Sequence, residues 1–332
     1  MYNKVREIIE PLYQVGGSVR DELLEMPIKD YDFCTPLTPD EIEQKIRQAG
    51  KHPYIVGKRF GTIGMKIDGQ LVEITTFRNE VYSLGSRKPQ VEFVKDITAD
   101  LSRRDFTVNA MAKRDGRIID PFGGKLDLLS RIIKCVNNPK ERFKEDALRM
   151  LRAARFASQL EFDIDPNLEG TTKNMNHRIL FISRERWNME MDKLLLTDKP
   201  SVGLDFLART RLLNFMFPEL SLQVGFNQDS PHHDFDLWTH TKKVVDNSQK
   251  SIEIRWAALL HDIAKPFVKV KKKEYSNYIK HDLLGKELVI KVADYLKWSN
   301  DRKEEVSELV LHHLDQDSPL KKADNMSKVE LS

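Results

Sequence analysis

The sequence predicts an α+β protein: a mixed head over about residues 1–137, then an all-helical remainder. Three observations carry this. Before Pro139, short apolar or alternating runs are cut by Gly, Asp and Pro, the pattern of strands between turns. After Pro139, apolar residues recur at helical spacing in segment after segment. The chain has 332 residues, 40% hydrophobic and 32% charged, enough for two or three domains with buried cores.

In chain order, SVRDELLEM (18–26) and PDEIEQKIRQAG (39–50) read as helices among the strands YDFCT (31–35), GTIGMKI (61–67), LVEITTF (71–77) and VEFV (91–94). KERFKEDALRMLRAARFASQL (140–160) holds helical spacing for about five turns with no Gly or Pro. Further helices are predicted in SRERWNMEMDKLLL, SVGLDFLARTRLL, EIRWAALLHDIAK, KELVIKVADYLKW and RKEEVSELVLHHL. KVKKKEYSNYIK (269–280) reads as a solvated hairpin loop, with touching RNA phosphate as the alternative. The last dozen residues, KKADNMSKVELS, are polar and expected to fray. No repeat or low-complexity segment interrupts the chain. The resulting division is a head (1–137), a helical neck (138–200) and a helical body (201–332).

Lys plus Arg exceed Asp plus Glu by only three, so local clustering of charge must decide about nucleic acid. Two cysteines, Cys34 and Cys135, exclude a disulfide framework and a Cys-based zinc site. MYNKVREIIE has no apolar run of a leader, and no stretch approaches 20 apolar residues, so no membrane partner is expected. A reducing, cytoplasmic setting fits.

The informative stretch is VGGSVRDELLEMPIKDYDF (15–33). Two glycines let the backbone turn tightly and approach a ligand. A helix starting near Ser18 would offer N–H groups to phosphate, and Arg20 adds a forked charge. Asp30 and Asp32 follow; on a strand they would share a face, where two carboxylates repel unless a cation sits between them. Hard oxygen ligands select Mg²⁺, with Mn²⁺ possible. Glu73, on another predicted strand, is a third acid for the same site.

GGSVRDELL with KDYDF resembles the first signature of the class II tRNA nucleotidyltransferases and bacterial poly(A) polymerases, members of the polymerase-β-like superfamily. RRDFTVNAMA (103–112), GRIIDPFGGKLDLL (116–129), EDALRMLRAARF (145–156) and RERWNMEMDKLL (184–195) resemble the further signatures, and the likeness spans about 12–290. The resemblance implies a polymerase-β-like nucleotidyltransferase head, a neck (138–200) for nucleobase and RNA binding and a body with an HD-like unit. Gly17, Arg20 and Arg104 would bind nucleotide, Asp30 and Asp32 would be catalytic and hold metal, and Glu73 would be catalytic beside them. Asp105 and Asn109 would be structural, and Asp120 with Gly123 and Gly124 would form either a hinge or a tight turn. The implied reaction adds CMP and AMP from CTP and ATP to the 3′ end of tRNA, with pyrophosphate leaving. The same signatures occur in enzymes that add only CC, only A, or poly(A). RNEVYSLGSRKPQVEF (78–93) is similar to the family's flexible loop and argues against a CC-only enzyme, although it reads SLGSRKP where relatives often carry an acid and paired arginines.

Asp146 and Arg149 stand three apart on the predicted helix and share a face. Asp146 could accept from the amino group that cytosine and adenine both carry, and Arg149 could donate to the neighbouring ring nitrogen. Uracil and guanine reverse that pattern. The resemblance assigns this base-reading role to Asp146 and Arg149 and puts Arg152 and Arg155 at the nucleotide too.

Seven of nine histidines fall after residue 231. His240, the pair His261–Asp262 and a later acid resemble the ligand order of HD phosphohydrolases, with Asp315 as candidate fourth ligand and His281, His312 and His313 nearby in sequence. A hydrolase acting on RNA ends or nucleotides is the alternative function.

Overall fold

The computed structural model describes residues 1–28, 30–81, 90–229, 235–272 and 275–327. It divides into two compact units, Met1–Asp146 and Ala147–Ser332. The architecture is α+β: strands are concentrated in the first unit, and the second is built almost wholly of helices.

In the first unit, strands β1 (Tyr13–Val15), β2 (Asp32–Thr35), β3 (Thr62–Ile67), β4 (Gln70–Thr76), β7 (Ala112–Arg114) and β8 (Arg117–Ile119) form a sheet of order β3-β4-β2-β1-β7-β8. Between β4 and β7, β5 (Arg78–Val81) and β6 (Gln90–Phe93) pair as a separate ribbon. All four predicted strands are present; β1, β7 and β8 are too short for alternation to reveal them.

Side-chain alternation sorts the two faces of the sheet. Phe33 of β2 and Val72 and Ile74 of β4 pack with Ile42 and Ile46 in one apolar cluster. Ile42 and Ile46 come from the helix Pro39–Gln48, which starts with Pro and a reciprocal cap between Thr38 and Glu41. Cys34 faces the other way, into a cluster with Val15, Phe77 and Leu101. Asp32 shares parity with Cys34, and Glu73 lies between two residues of the first cluster. The pleat therefore carries both acids to the second face.

In the second unit, the helix Leu148–Leu160 meets the helix Pro200–Arg209 at Gly203, where a Cβ would fall 2.4 Å from the Ala154 carbonyl oxygen. Ser158 Oγ accepts from the Gly203 amide at 2.8 Å across that contact. The helix Arg184–Leu195 is tied down by its polar side chains. Asp192 accepts from Trp256 Nε1 at 2.7 Å and from both terminal nitrogens of Arg302, and Asn188 accepts from Trp298 Nε1 at 2.7 Å. The basic stretch after residue 268 forms a two-stranded ribbon, Val270–Lys271 with Ser276–Asn277.

Two expectations are corrected. The helix expected over 140–160 is two helices, Pro139–Glu145 and Leu148–Leu160. Asp146 is extended, with φ −146° and ψ 106°. Nothing in the sequence forbids a helix there, but Asp is a weak interior residue that favours caps, and tertiary context overrides the periodicity. The shared-face argument for Asp146 and Arg149 therefore fails. The C-terminal stretch, expected to fray, is folded through Ser327: Lys321–Met326 is helical and Ala323, Asp324 and Ser327 are buried. Among the described residues no helix is long and apolar enough to cross a membrane.

Candidate functional site

The parallel pairing of β2 with β4 sets Asp32 beside Glu73 and Phe33 beside Ile74. Both acids are exposed, while Phe33 and Ile74 are buried. Asp30 is exposed and precedes the strand rather than lying on it, so strand parity does not align it with Asp32. Its charge still reaches Asp32. Although Asp32 is open to water on one side, packing around its carboxyl raises the pKa, Arg104 opposes this, and the charges of Glu73 and Asp30 add to the rise.

Arg104 sits against the glycine turn. A Cβ on Gly16, whose φ is +68°, would lie 2.7 Å from Arg104 Nη1, so glycine is needed there for both backbone and space. Asp100, fully buried on the helix Ile97–Ser102, orients this arginine and its neighbour. Its Oδ2 accepts from Arg104 Nη2 at 3.3 Å, and its Oδ1 accepts from Arg103 Nη2 at 2.7 Å and from the Arg78 amide at 3.2 Å. Burial alone would raise the Asp100 pKa, but Arg104 and Arg103 outweigh it and the net shift is downward.

Arg20 is buried and held by the protein. Its Nε and Nη2 donate to Asp21 Oδ1 at 2.8 and 2.6 Å, and its Nη1 donates to Asn109 Oδ1 at 2.6 Å. Asn109 Nδ2 donates in turn to Asp105 Oδ1 at 3.1 Å. Gly17 opens the helix Gly17–Leu23 beside that guanidinium. Asp120 accepts from the amides of Gly124 and Lys125 at 2.7 and 2.8 Å, and Gly123 has φ +75°. A Cβ on Gly124 would strike the Thr107 carbonyl oxygen at 2.2 Å, so this segment is a close-packed helix start.

Asp146 is the last residue of the first unit, and Arg149, Arg152 and Arg155 lie on one helix of the second. Arg149 is buried. Glu190, also buried, accepts from Arg155 Nε at 2.7 Å and pairs with Arg152 Nη1 at 3.5 Å. Arg155 also covers the Phe156 ring at 3.9 Å. Glu190 thus presents two predicted nucleotide arginines as a braced pair.

The second unit brings His240, His261, Asp262, His281, His313 and Asp324 together, all buried. His240 Nε2 lies 3.3 Å from His261 Nε2 and 3.2 Å from Asp324 Oδ1, and His261 Nε2 lies 3.0 Å from Asp262 Oδ2. Asp315 is not among them: it pairs with His312 at 2.9 Å on the exposed surface. Asp324, in the stretch expected to fray, takes the acid's place. Burial lowers the His240 pKa and drives His313 down to about 4. It would lower His261 as well, but neighbouring Asp262 prevails and the net shift is upward. Burial would raise Asp262, yet His261 and Lys265 hold it well below the usual carboxylate range.

Three family models match in order: the poly A polymerase head domain over residues 12–134, the probable RNA and SrmB-binding site of polymerase A over 161–223, and the HD domain over 236–330. The CCA-adding enzyme of Ligilactobacillus salivarius is 40% identical over 244 residues, covering 71% of this chain and 59% of that relative. That of Bacillus subtilis is 38% identical over 250 residues, covering 75% of this chain and 59% of the relative. The chain belongs to the poly(A) polymerase and CCA-adding enzyme family. The solved CCA-adding enzyme of Bacillus stearothermophilus in complex with CTP is 29% identical, with a TM-score of 0.63 over 95% of this chain and 76% of that one. The Thermotoga maritima enzyme complexed with tRNA shares the fold, with a TM-score of 0.63 at 21% identity. The chain spans about three fifths of the length of the curated relatives it matches.

Membership of this family implies dependence on a divalent metal. The residues present fit one: an oxygen-only set, Asp32 beside Glu73 with Asp30 adjacent, accessible to solvent. Sequence reasoning missed Asp100, Glu190 and Asp324. Asp100 carried a signal, an acid three and four residues before the RR pair. Glu190 and Asp324 act on residues distant in the chain and carried none. Residues 82–89 of the predicted flexible loop, and His232 and His233, lie outside the described residues.

Proposed function

We propose that this protein adds CMP and AMP, from CTP and ATP, to the 3′ end of tRNA. The observation that carries the reading is the register of β2 on β4, which pairs Asp32 with Glu73 on the face toward which Arg104 projects its charge. The names of the relatives supply the substrate: CCA-adding enzymes, one of them solved with CTP. The division into head, neck and body belongs to this proposal, as does a reducing cytoplasmic setting, consistent with two buried cysteines that form no disulfide.

In the reaction, the terminal 3′-hydroxyl oxygen of the RNA attacks the α-phosphorus, the new O–P bond forms and pyrophosphate leaves. Asp30 and Asp32 would hold Mg²⁺ or Mn²⁺, with Glu73 beside them. Such ions, when bound, supply positive charge to the attacking hydroxyl and to the departing pyrophosphate. Arg104, oriented by Asp100, and Arg20 with Gly17 bind the triphosphate. Asp146 and Arg149 read the base edge, and Arg152 and Arg155, braced by Glu190, bind the nucleotide.

The test is incubation with tRNA lacking its last three nucleotides and each labelled nucleotide in turn. CMP incorporation from CTP alone, with AMP entering only after it, is the expected result. A run of AMP from ATP alone would mean a poly(A) polymerase, AMP entering only on tRNA already ending in CC an A-adding enzyme, and no incorporation would overturn the proposal. Asp146→Ala should cost about 30-fold in selection of CTP over UTP, since the one mispaired polar group it removes costs roughly 1–3 kcal/mol. A uniform slowing with all four nucleotides would remove Asp146 from base reading.

A further inference from the structure

We infer that Tyr54 and Leu71 form the seat for the 3′-terminal nucleotide of the RNA, with its base stacked on the Tyr54 ring. The inference rests on the nucleotidyl-transfer reading and adds to it the place where the RNA end lies.

The register of the sheet sets Tyr54 in one row with the acids. Tyr54 bridges Gly64 on the edge strand β3, Gly64 pairs with Glu73 on β4, and Glu73 pairs with Asp32 on β2. Paired residues share a face, so the row runs along the face of the acids. Neighbouring strands stand about 4.8 Å apart, which puts the Tyr54 backbone roughly 10 Å from that of Glu73. Leu71, two residues before Glu73, is on the same face. A Cβ on Gly64 would fall 3.3 Å from both Tyr54 Cβ and Leu71 Cδ1, so these two side chains close over the glycine as one surface.

That surface is apolar and open. Tyr54 is 40% exposed and Leu71 50%, and the neighbouring Ile55 and Val56 are exposed as well. Positive charge rims it. Exposed Lys66 holds its Nζ 6.0 Å from the centre of the Tyr54 ring, exposed Lys51 lies three residues before Tyr54, and the His52 ring meets Tyr54 edge-on at 5.5 Å. An exposed aromatic ring among basic groups is the chemistry that takes single-stranded RNA: a base stacks on the ring and phosphate meets the lysines.

The direction of the reaction selects the RNA end over the incoming nucleotide. Gly16 and Gly17 follow β1, Arg104 reaches Gly16, and β1 lies on the opposite side of β2 from β4. The triphosphate is held there, so pyrophosphate leaves on the β1 side. In-line displacement puts the attacking hydroxyl on the far side of the α-phosphorus. The nucleotide that carries this hydroxyl therefore lies over β4 and β3, where Leu71 and Tyr54 stand.

The test is binding without nucleotide, which does not depend on catalysis. Fluorescence anisotropy gives the Kd of the full chain for tRNA lacking its last three nucleotides, and for the same RNA with the base of its 3′-terminal nucleotide removed. Tyr54→Ala should weaken binding of the first RNA about 10-fold, the scale of one lost base stack. Tyr54→Phe, which keeps the ring, should restore it, and on the baseless RNA Tyr54→Ala should change nothing. Leu71→Ala should show the same pattern with a smaller loss; circular dichroism checks folding, and either variant that folds suffices. An unchanged Kd for the first RNA, as expected of a surface that docks a protein instead, or an equal loss with both RNAs, overturns the inference. This binding pattern in a protein that incorporates no CMP would strike the nucleotidyl-transfer reading alone.

Discussion

The head and the helical unit each gather acids around a point, but they solve the electrostatics in opposite ways. In the head, Asp30, Asp32 and Glu73 are exposed, so water solvates them when no cation is present. Packing around its carboxyl, with the charges of Glu73 and Asp30 added, raises the pKa of Asp32. In the helical unit, Asp262 and Asp324 are buried among four imidazoles. There the protein supplies positive charge itself, through Lys265 and His261 beside Asp262. An exposed acid cluster can wait for an ion that arrives with substrate, whereas a buried one suits a resident ion.

The largest expected effect breaks the comparison at the head. Asp32→Ala should lower CMP incorporation by about 10³-fold, because metal charge stabilisation is worth several kcal/mol. Its melting temperature should hold or rise, since the change relieves repulsion with Glu73 and Asp30. A lower melting temperature together with retained incorporation would make Asp32 a structural acid instead.

Asp100→Asn comes next and tests a buried acid that arginines already neutralise. Losing one partner of a buried ion pair costs about 3 kcal/mol, so denaturant midpoints should fall. Looser placement of Arg104 should also raise the KM for CTP. Unchanged stability and KM would remove the positioning role.

The smallest effect concerns pH, measured on chelator-treated protein. His313 has a native pKa of about 4, against about 6.5 unfolded. Above pH 6.5 both states are neutral and the stabilising contribution is complete. As pH falls from 6.5 to 4, the unfolded chain takes up a proton that the native state refuses, so stability is lost. The ceiling is about 3 kcal/mol. His240 shifts in the same direction; His261 shifts oppositely and offsets part of the loss. His313→Gln should flatten the profile between pH 6.5 and 4, and a profile identical to the parent would show that His313 does not titrate as described.

The strands β2, β3, β4 and β6 were legible because alternation survives in their sequences, and Asp32, Glu73, Arg20 and Arg104 because they stand in recognisable motifs. The break at Asp146 was not, since the periodicity of 140–160 runs through it without Gly or Pro. Asp324 was hidden in a polar tail.

By itself the sequence determined the α+β order of elements, the glycine turn with its acids, and the gathering of histidines late in the chain. These are local patterns, written in spacing and residue type. Only the tertiary structure decided that Glu73 stands beside Asp32, that Asp100 and Glu190 hold the arginines, and that Asp324 rather than Asp315 joins the histidines. Each of these depends on which distant backbone segments pack together. That choice is made by burial of apolar faces summed over whole elements, and it leaves no mark on the polar residue it brings into place.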